Sequence, residues 1–255
     1  MLIHTRRKLI IEPPRTRPRF RLMGYRQVLN AAPVTAFSDT FIRANKDTLG
    51  SQWMRTLQNA PGGGGNGATA SAQIVTNQAV FTTVAGAGPT QNYLPAWIPL
   101  PVYLNNYNAV GLFAQCTFQA DVGAGSAGMI LRYNHDLDNT ETQGEGQDVY
   151  MCLMKGAAAG RIDKIVGGGG ASSIGLGTWG ALTAGQVIRF ECLTVGSKVT
   201  LQTIRNGVIL QTIDDSSATR ILVGGVALGY FSISATGQAL TVSAFSCGRI
   251  TALST

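Results

Sequence analysis

From Val110 onward the chain alternates strictly: Leu112, Ala114, Cys116, Phe118 and Ala120 fall on one side of the backbone, Phe113, Gln115, Thr117 and Gln119 on the other. Successive side chains of an extended strand point to opposite faces, so a period of two marks a strand with one face buried. Similar runs recur at 73–84, 127–133, 148–155, 186–195, 198–205, 208–213, 226–234 and 239–250, separated by glycine-rich or polar turns. Val199, Leu201 and Thr203 lead into Asn206-Gly207, and Val208-Ile209-Leu210 follow. Asn-Gly accepts positive φ at both turn positions, so this stretch predicts a two-residue hairpin. Helices are expected to be few and short, because no long stretch carries an uninterrupted helical stripe. Many short strands with glycine-rich turns predict a sandwich or barrel. The glycine runs 62–65 and 167–170 are expected as loops at its rim, and no internal repeat of fixed period is present.

Only 13% of the 255 residues are charged and 45% are apolar, a balance that suits one large β domain rather than a disordered chain. No apolar run approaches the roughly 18 residues of a membrane-spanning helix. The net charge of +7 sits in one place. Residues 1–26 hold eight basic side chains and one acid, so the twelve basic and twelve acidic residues that follow cancel. A nucleic-acid-binding domain carries its basic patch on the folded surface, whereas here only a tail supplies it.

Pro13, Pro14 and Pro18 favour extended backbone in a segment that lacks any helical or sustained strand period. Residues 1–36 are therefore read as an extended arm and 37–255 as the folded domain. Within the arm, Arg15, Arg17, Arg19 and Arg21 alternate with Thr16, Pro18, Phe20 and Leu22, giving one cationic and one mostly apolar edge. At roughly 3.3 Å per residue, thirty extended residues reach on the order of 90 Å. The arm suits nucleic-acid phosphates, a protein surface or solvent, and its apolar edge favours protein. A purely electrostatic tail has no need of Phe20, Leu22 and Tyr25. Docking would use Arg6, Arg7, Lys8, Arg15, Arg17, Arg19, Phe20, Arg21, Leu22, Tyr25 and Arg26, with arginines against carboxylates and backbone added to a sheet edge. Leu9-Ile10-Ile11 is too short for the core of a secretory signal, so synthesis in the cytoplasm is expected. Cys116, Cys152, Cys192 and Cys247 lack C-x-x-C spacing and lie in apolar runs, which predicts free core thiols.

The chemistry-bearing residues are sparse. A retaining glycosidase needs two carboxylates about 5 Å apart, which an E-x-D-x-x-E strand supplies. No such strand exists; the nearest, Asp148-Val149-Tyr150-Met151-Cys152-Leu153, has one acid at its edge. No catalytic residue is assigned. Calcium is the one cofactor considered, because Asp136, Asp138 and Glu141, with Asn139 and Glu145, crowd oxygen donors into one segment beside His135. The alternative is a solvated acidic loop. Tyr93, Trp97, Tyr103 and Tyr107, with Trp179 in a second glycine-rich segment, supply the aromatics that sugar binding uses, or else they cover the ends of the sandwich or an interface. Residues 62–65 lack the Gly-Lys-Ser/Thr that would make a phosphate loop.

The segment Phe37-Ser38-Asp39-Thr40-Phe41-Ile42-Arg43-Ala44-Asn45, followed by Leu49-Gly50-Ser51-Gln52-Trp53, resembles the D-x-F-x-R-A-(N/D)…L-G-x-x-W opening of concanavalin-like, laminin-G-like jelly rolls, an opening familiar from bacteriophage virion proteins. Gly128-Met129-Ile130-Leu131-Arg132-Tyr133, Val149-Tyr150-Met151-Cys152-Leu153, Ile188-Arg189-Phe190-Glu191 and Ser243-Ala244-Phe245 follow in similar order. The resemblance covers about residues 37–250. It implies an all-β, two-sheet antiparallel jelly-roll sandwich of a kind used in phages as a virion-surface or tail module; the extended N-terminal arm lies outside it. Together with a neutral sandwich behind an arm that holds the whole net charge, and with no paired acids, it leads to the expectation of a non-enzymatic virion structural protein of a tailed phage, a minor tail or tail-tip protein, oligomeric in the particle and joined to other virion proteins by the arm. Capsid decoration and a lectin-like module for host-surface glycan are the alternatives; the fold alone does not choose between them.

Overall fold

The computed structural model describes residues 34–56, 69–84, 96–99, 110–119, 126–134, 148–155, 159–167, 172–180, 182–231 and 239–255. Among these residues every regular element is a strand. One antiparallel sheet holds eight strands: β1 (Val34–Asp39), β3 (Thr69–Val75), β4 (Gln78–Val84), β6 (Gly111–Phe118), β11 (Val187–Val195), β12 (Lys198–Arg205), β13 (Val208–Asp215) and β15 (Ala239–Arg249). The other holds seven: β2 (Trp53–Thr56), β5 (Ala96–Pro99), β7 (Ser126–Asn134), β8 (Asp148–Lys155), β9 (Ala159–Ile165), β10 (Ser172–Thr178) and β14 (Gly225–Phe231). Their orders are β13-β12-β11-β6-β15-β4-β3, with β1 on the far half of β15, and β10-β9-β8-β7-β14-β5-β2. The expected two-sheet sandwich is therefore present. β1 begins at Val34, ahead of the boundary expected at residue 37.

Alternation places the core. Leu112, Ala114, Cys116 and Phe118 of β6, Ile188, Phe190 and Cys192 of β11, and Phe245 and Cys247 of β15 face Met129, Leu131, Tyr150, Cys152, Val226 and Leu228 of the other sheet. All four cysteines are free and buried. Burial pushes the Cys152 thiol up to about 12 and raises those of Cys116 and Cys247 as well.

The Asn206-Gly207 hairpin forms as expected, with φ of 50° and 81°, between β12 and β13. The run 73–84 is not one strand. It folds into the β3–β4 hairpin, because Thr76 and Asn77 take φ of 49° and 61° and reverse the chain without a glycine.

The motif that carries the resemblance turns out to be a corner between the sheets. Asp39 ends β1, and its carboxylate accepts hydrogen bonds from Phe41 N, from both Arg43 Nη atoms and from Trp53 Nε1, all at 2.8 Å. Arg43 Nη2 also donates to Leu49 O at 2.5 Å. Burial alone would raise the Asp39 carboxyl; these donors outweigh it and hold the carboxyl below its ordinary value. Trp53 opens β2 and packs edge-on to Phe37 and Phe245 with centroids 5.2 Å away, and stacks on Phe41 at 5.9 Å. The D-x-F-x-R…L-G-x-x-W spacing thus encodes how the chain crosses from the eight-stranded to the seven-stranded sheet, a packing role rather than a chemical one.

Candidate functional site

The strands of the seven-stranded sheet present a second apolar face, pointing away from the shared core. Ile130 and Tyr133 of β7, Val149, Met151 and Leu153 of β8, Ile165 of β9 and Ala227 of β14 alternate with the core residues of the same strands, and all are buried. A hydrolytic or sugar-binding groove on this face would need polar groups set among these side chains. One ion pair is there: Arg161 Nε lies 2.8 Å from Asp163 Oδ2, and Asp163 stands in register with Met151. Asp148 is the other carboxylate in the strands of this sheet, and it accepts from Gly167 N at the rim. The described strands therefore bring no two carboxylates together on one face, as glycoside hydrolysis requires.

At the end of the sandwich where β13 stops and β14 begins, a polar cluster ties the sheets to the 216–224 segment. Tyr150 OH donates to Asp215 Oδ2 at 2.6 Å and accepts from Ile221 N at 2.9 Å. Lys164 Nζ reaches Asp215 Oδ2 at 2.9 Å, Ser217 Oγ at 2.8 Å and Thr219 Oγ1 at 3.3 Å. Burial would raise the Asp215 carboxyl, but the hydrogen bonds from Ser217, Tyr150 and Lys164 prevail and lower it to about 2. The same carboxylate, with burial, pushes the Tyr150 phenol far above its ordinary range. A phenol so raised cannot act as a general base near neutral pH, and the lysine is held by three oxygens.

Beside this cluster Arg132 is wholly buried, although it lies within the apolar strand β7. Its backbone takes φ of 58° at a break in the β7–β8 register, which turns its side chain toward the core. The guanidinium donates to Cys192 Sγ at 3.3 Å, Val110 O at 2.8 Å, Thr194 Oγ1 at 3.0 Å and Leu222 O. It brackets the two sheets through backbone carbonyls.

On the outer face of the eight-stranded sheet, Glu191 is buried beneath the last residues of the chain. It accepts from Arg189 Nε at 2.5 Å and from Ser254 N and Oγ at 2.8 Å each. The Arg189 guanidinium in turn covers the Phe113 ring at 3.9 Å. Asp214, on the same face, pairs with Lys198 and Thr200. These carboxylates are held by the fold's own donors.

Of the residues singled out from sequence, Trp179 needs correction. Of its two readings, a sugar-binding aromatic or a cover for the sandwich end or an interface, the first does not hold: only 5% of it is exposed and it belongs to the core. Gly160 and Gly177, partners across β9 and β10, make room for its ring: a Cβ at Gly160 would lie 1.8 Å from it and one at Gly177 2.3 Å. Trp97 lies in β5 in register with Leu228, itself a core residue. Tyr93, Tyr103 and Tyr107, the oxygen-rich Asp136, Asp138 and Glu141, and the arm residues Arg6 to Arg26 lie outside the described residues. Among the described residues no three His, Cys, Asp or Glu side chains could hold a metal ion. Sequence reading missed Arg132, although it carried the signal of a charge inside an apolar strand, and Asp163, whose charged segment 161–164 gave no strand signal.

No protein-family model and no curated protein matches the sequence. Solved structures do match in fold. The chain is similar to an endo-1,3-β-glucanase from Streptomyces sioyaensis, with a TM-score of 0.54 at 14% identity, covering 86% of this chain and 98% of the other. It is equally similar to a protein of unknown function with a galectin-like fold from Bacillus subtilis, with a TM-score of 0.54 at 9% identity over 84% and 96% of the two chains. The fold is a galectin- and concanavalin-like jelly roll.

Proposed function

We propose that this protein is a non-enzymatic structural protein of a tailed-phage virion, anchored by its basic N-terminal arm and presenting the jelly roll outward. One observation carries the non-enzymatic part: the described carboxylates of the strands are held by arginine, lysine, tyrosine, hydroxyl or backbone donors, and none faces another across a groove. The glucanase shares the architecture, yet the paired acids that its chemistry needs are missing from the described strands of this one. The attachment part is supported by the charge partition, +7 in residues 1–26 and zero in the rest, and by the resemblance of the opening motif to phage virion proteins. The test is incorporation into assembled particles: replacing Arg15, Arg17, Arg19 and Arg21 with serine in the full chain should lower incorporation at least tenfold. Unchanged incorporation would overturn the anchoring role.

A second reading, glycan binding, is motivated by the galectin-like fold and by the aromatics Tyr93, Trp97, Tyr103 and Tyr107. With Trp179 in the core, that reading now rests on the stretch 93–107. Binding of the full chain to a panel of bacterial surface glycans, lost on Trp97→Ala and Tyr103→Ala, would support it; silence across the panel leaves the scaffold role.

A further inference from the structure

Val110, Leu222 and Val223 are exposed apolar residues, at 56%, 45% and 47%. Far apart in sequence, they converge in space. Arg132 donates to Val110 O, to Leu222 O and to Thr194 Oγ1, so one guanidinium gathers all three segments beneath the patch. Thr194 N also donates to Val110 O at 2.8 Å. Exposed apolar side chains clustered around a buried, fixed cation form a rigid surface that water covers poorly.

The N-terminal segment enters the domain at this same end. Val34 pairs with Arg249 and Arg249 with Leu112, so β1 starts level with the start of β6, two strand spacings, or roughly 10 Å, from the Val110 side of the patch. The β7–β8 connection also leaves and returns here, through Asn134 and its partner Asp148. In sequence, 135–147 holds four carboxylates and no lysine or arginine. The basic arm thus enters a domain of zero net charge at the end where this acidic segment begins and ends.

We propose that residues 20–25 of the arm fold back onto their own domain and lay Phe20, Leu22 and Tyr25 on the Val110, Leu222 and Val223 patch. Residue 22 is twelve positions from Val34, a tether of roughly 40 Å when extended, which spans the distance with slack. A short tether gives the arm a high effective concentration at the patch and favours its own domain over that of a second copy. The arginines at 15, 17, 19 and 21, on the opposite edge, stay turned toward the acidic surroundings or toward another partner. This goes beyond the virion reading and does not depend on it, because the docked arm is a property of the free chain.

Cysteine cross-linking of the full chain tests the proposal, since the four native thiols are buried and do not compete. Leu22→Cys is combined either with Val223→Cys or, as a control, with Val208→Cys, an exposed residue beside the Asn206-Gly207 turn at the opposite end and also within the tether's reach. Under mild oxidation at micromolar concentration, the first pair should form an intramolecular disulfide at least tenfold faster than the control. Equal rates would overturn the proposal. Cross-linked dimers in place of monomers would overturn it too, by assigning the patch to the arm of a second copy.

Discussion

The two sheets share antiparallel pairing and one core, yet their outward faces are opposites. On the eight-stranded sheet the outward positions are Arg189, Glu191, Gln202, Thr212 and Asp214, and alternation between apolar and polar is plain in the sequence. On the seven-stranded sheet they are Ile130, Met151, Leu153 and Ala227, so β8 reads as the continuous apolar run Val149-Tyr150-Met151-Cys152-Leu153. The outward face of the eight-stranded sheet is polar and partly covered, with Glu191, Gln202 and Thr200 buried and Thr212 and Asp214 exposed. The described central strands of the seven-stranded sheet are apolar and buried on both faces, as continuous apolar runs are.

The contrast breaks most directly by placing the same polar side chain on each face. Met151→Asn should cost about 3 kcal/mol or more, because a buried amide would be left without partners. Thr212→Asn, on the exposed side of β13, should stay within about 0.5 kcal/mol. Urea midpoints read both, and equal losses would erase the distinction between the faces. A smaller effect tests size instead of polarity: Leu153→Ala should cost about 2–4 kcal/mol, the range of a core truncation, although Leu153 points away from the core between the sheets.

Asp215 joins the sheets at one end and gives the comparison a pH axis. Its carboxyl lies near 2 in the folded chain, below an unfolded value of about 3.9. A depressed carboxyl contributes stability that is present above the unfolded value and lost as the pH falls toward the folded one. The stability gap between the native chain and Asp215→Asn should therefore shrink as the pH drops from about 5 to about 2. A gap that stays constant would remove Asp215 from the acid limb. Smallest of all, Lys198→Ala on the open face should cost less than about 0.5 kcal/mol, as exposed ion pairs do. Fluorescence-detected urea titration has the precision to check it.

Much of the fold was legible because local and global signals agreed. The bounds of β8 and β12 match the runs read as strands in the sequence, and Asn206-Gly207 turns where its chemistry requires. Two kinds of element escaped. The β9–β10 hairpin is rich in glycine, which reads as loop; in the fold Gly160 and Gly177 are spaces occupied by Trp179, an absence of side chain that only the partner explains. The β3–β4 turn uses Thr76-Asn77: asparagine tolerates positive φ, but on the β-branched Thr76 it is imposed by the pairing on both sides. The candidate site was less legible for a related reason. Asp39, Arg43 and Trp53 carry the resemblance in sequence, and only in space do their hydrogen bonds close on one another.

The central claim is that the described carboxylates of this jelly roll hold the fold, and we propose that they turn over no substrate. Glu191 tests it best, since Arg189 and Ser254 depend on it. Polysaccharide turnover and urea stability should be measured together on the native chain, Glu191→Gln and Asp148→Asn. The account predicts no turnover by any of the three and a loss of about 2–4 kcal/mol in Glu191→Gln, where the buried carboxylate that Arg189 and Ser254 share is lost. Turnover by the native chain that either substitution abolishes, with the urea midpoint unchanged, would contradict it.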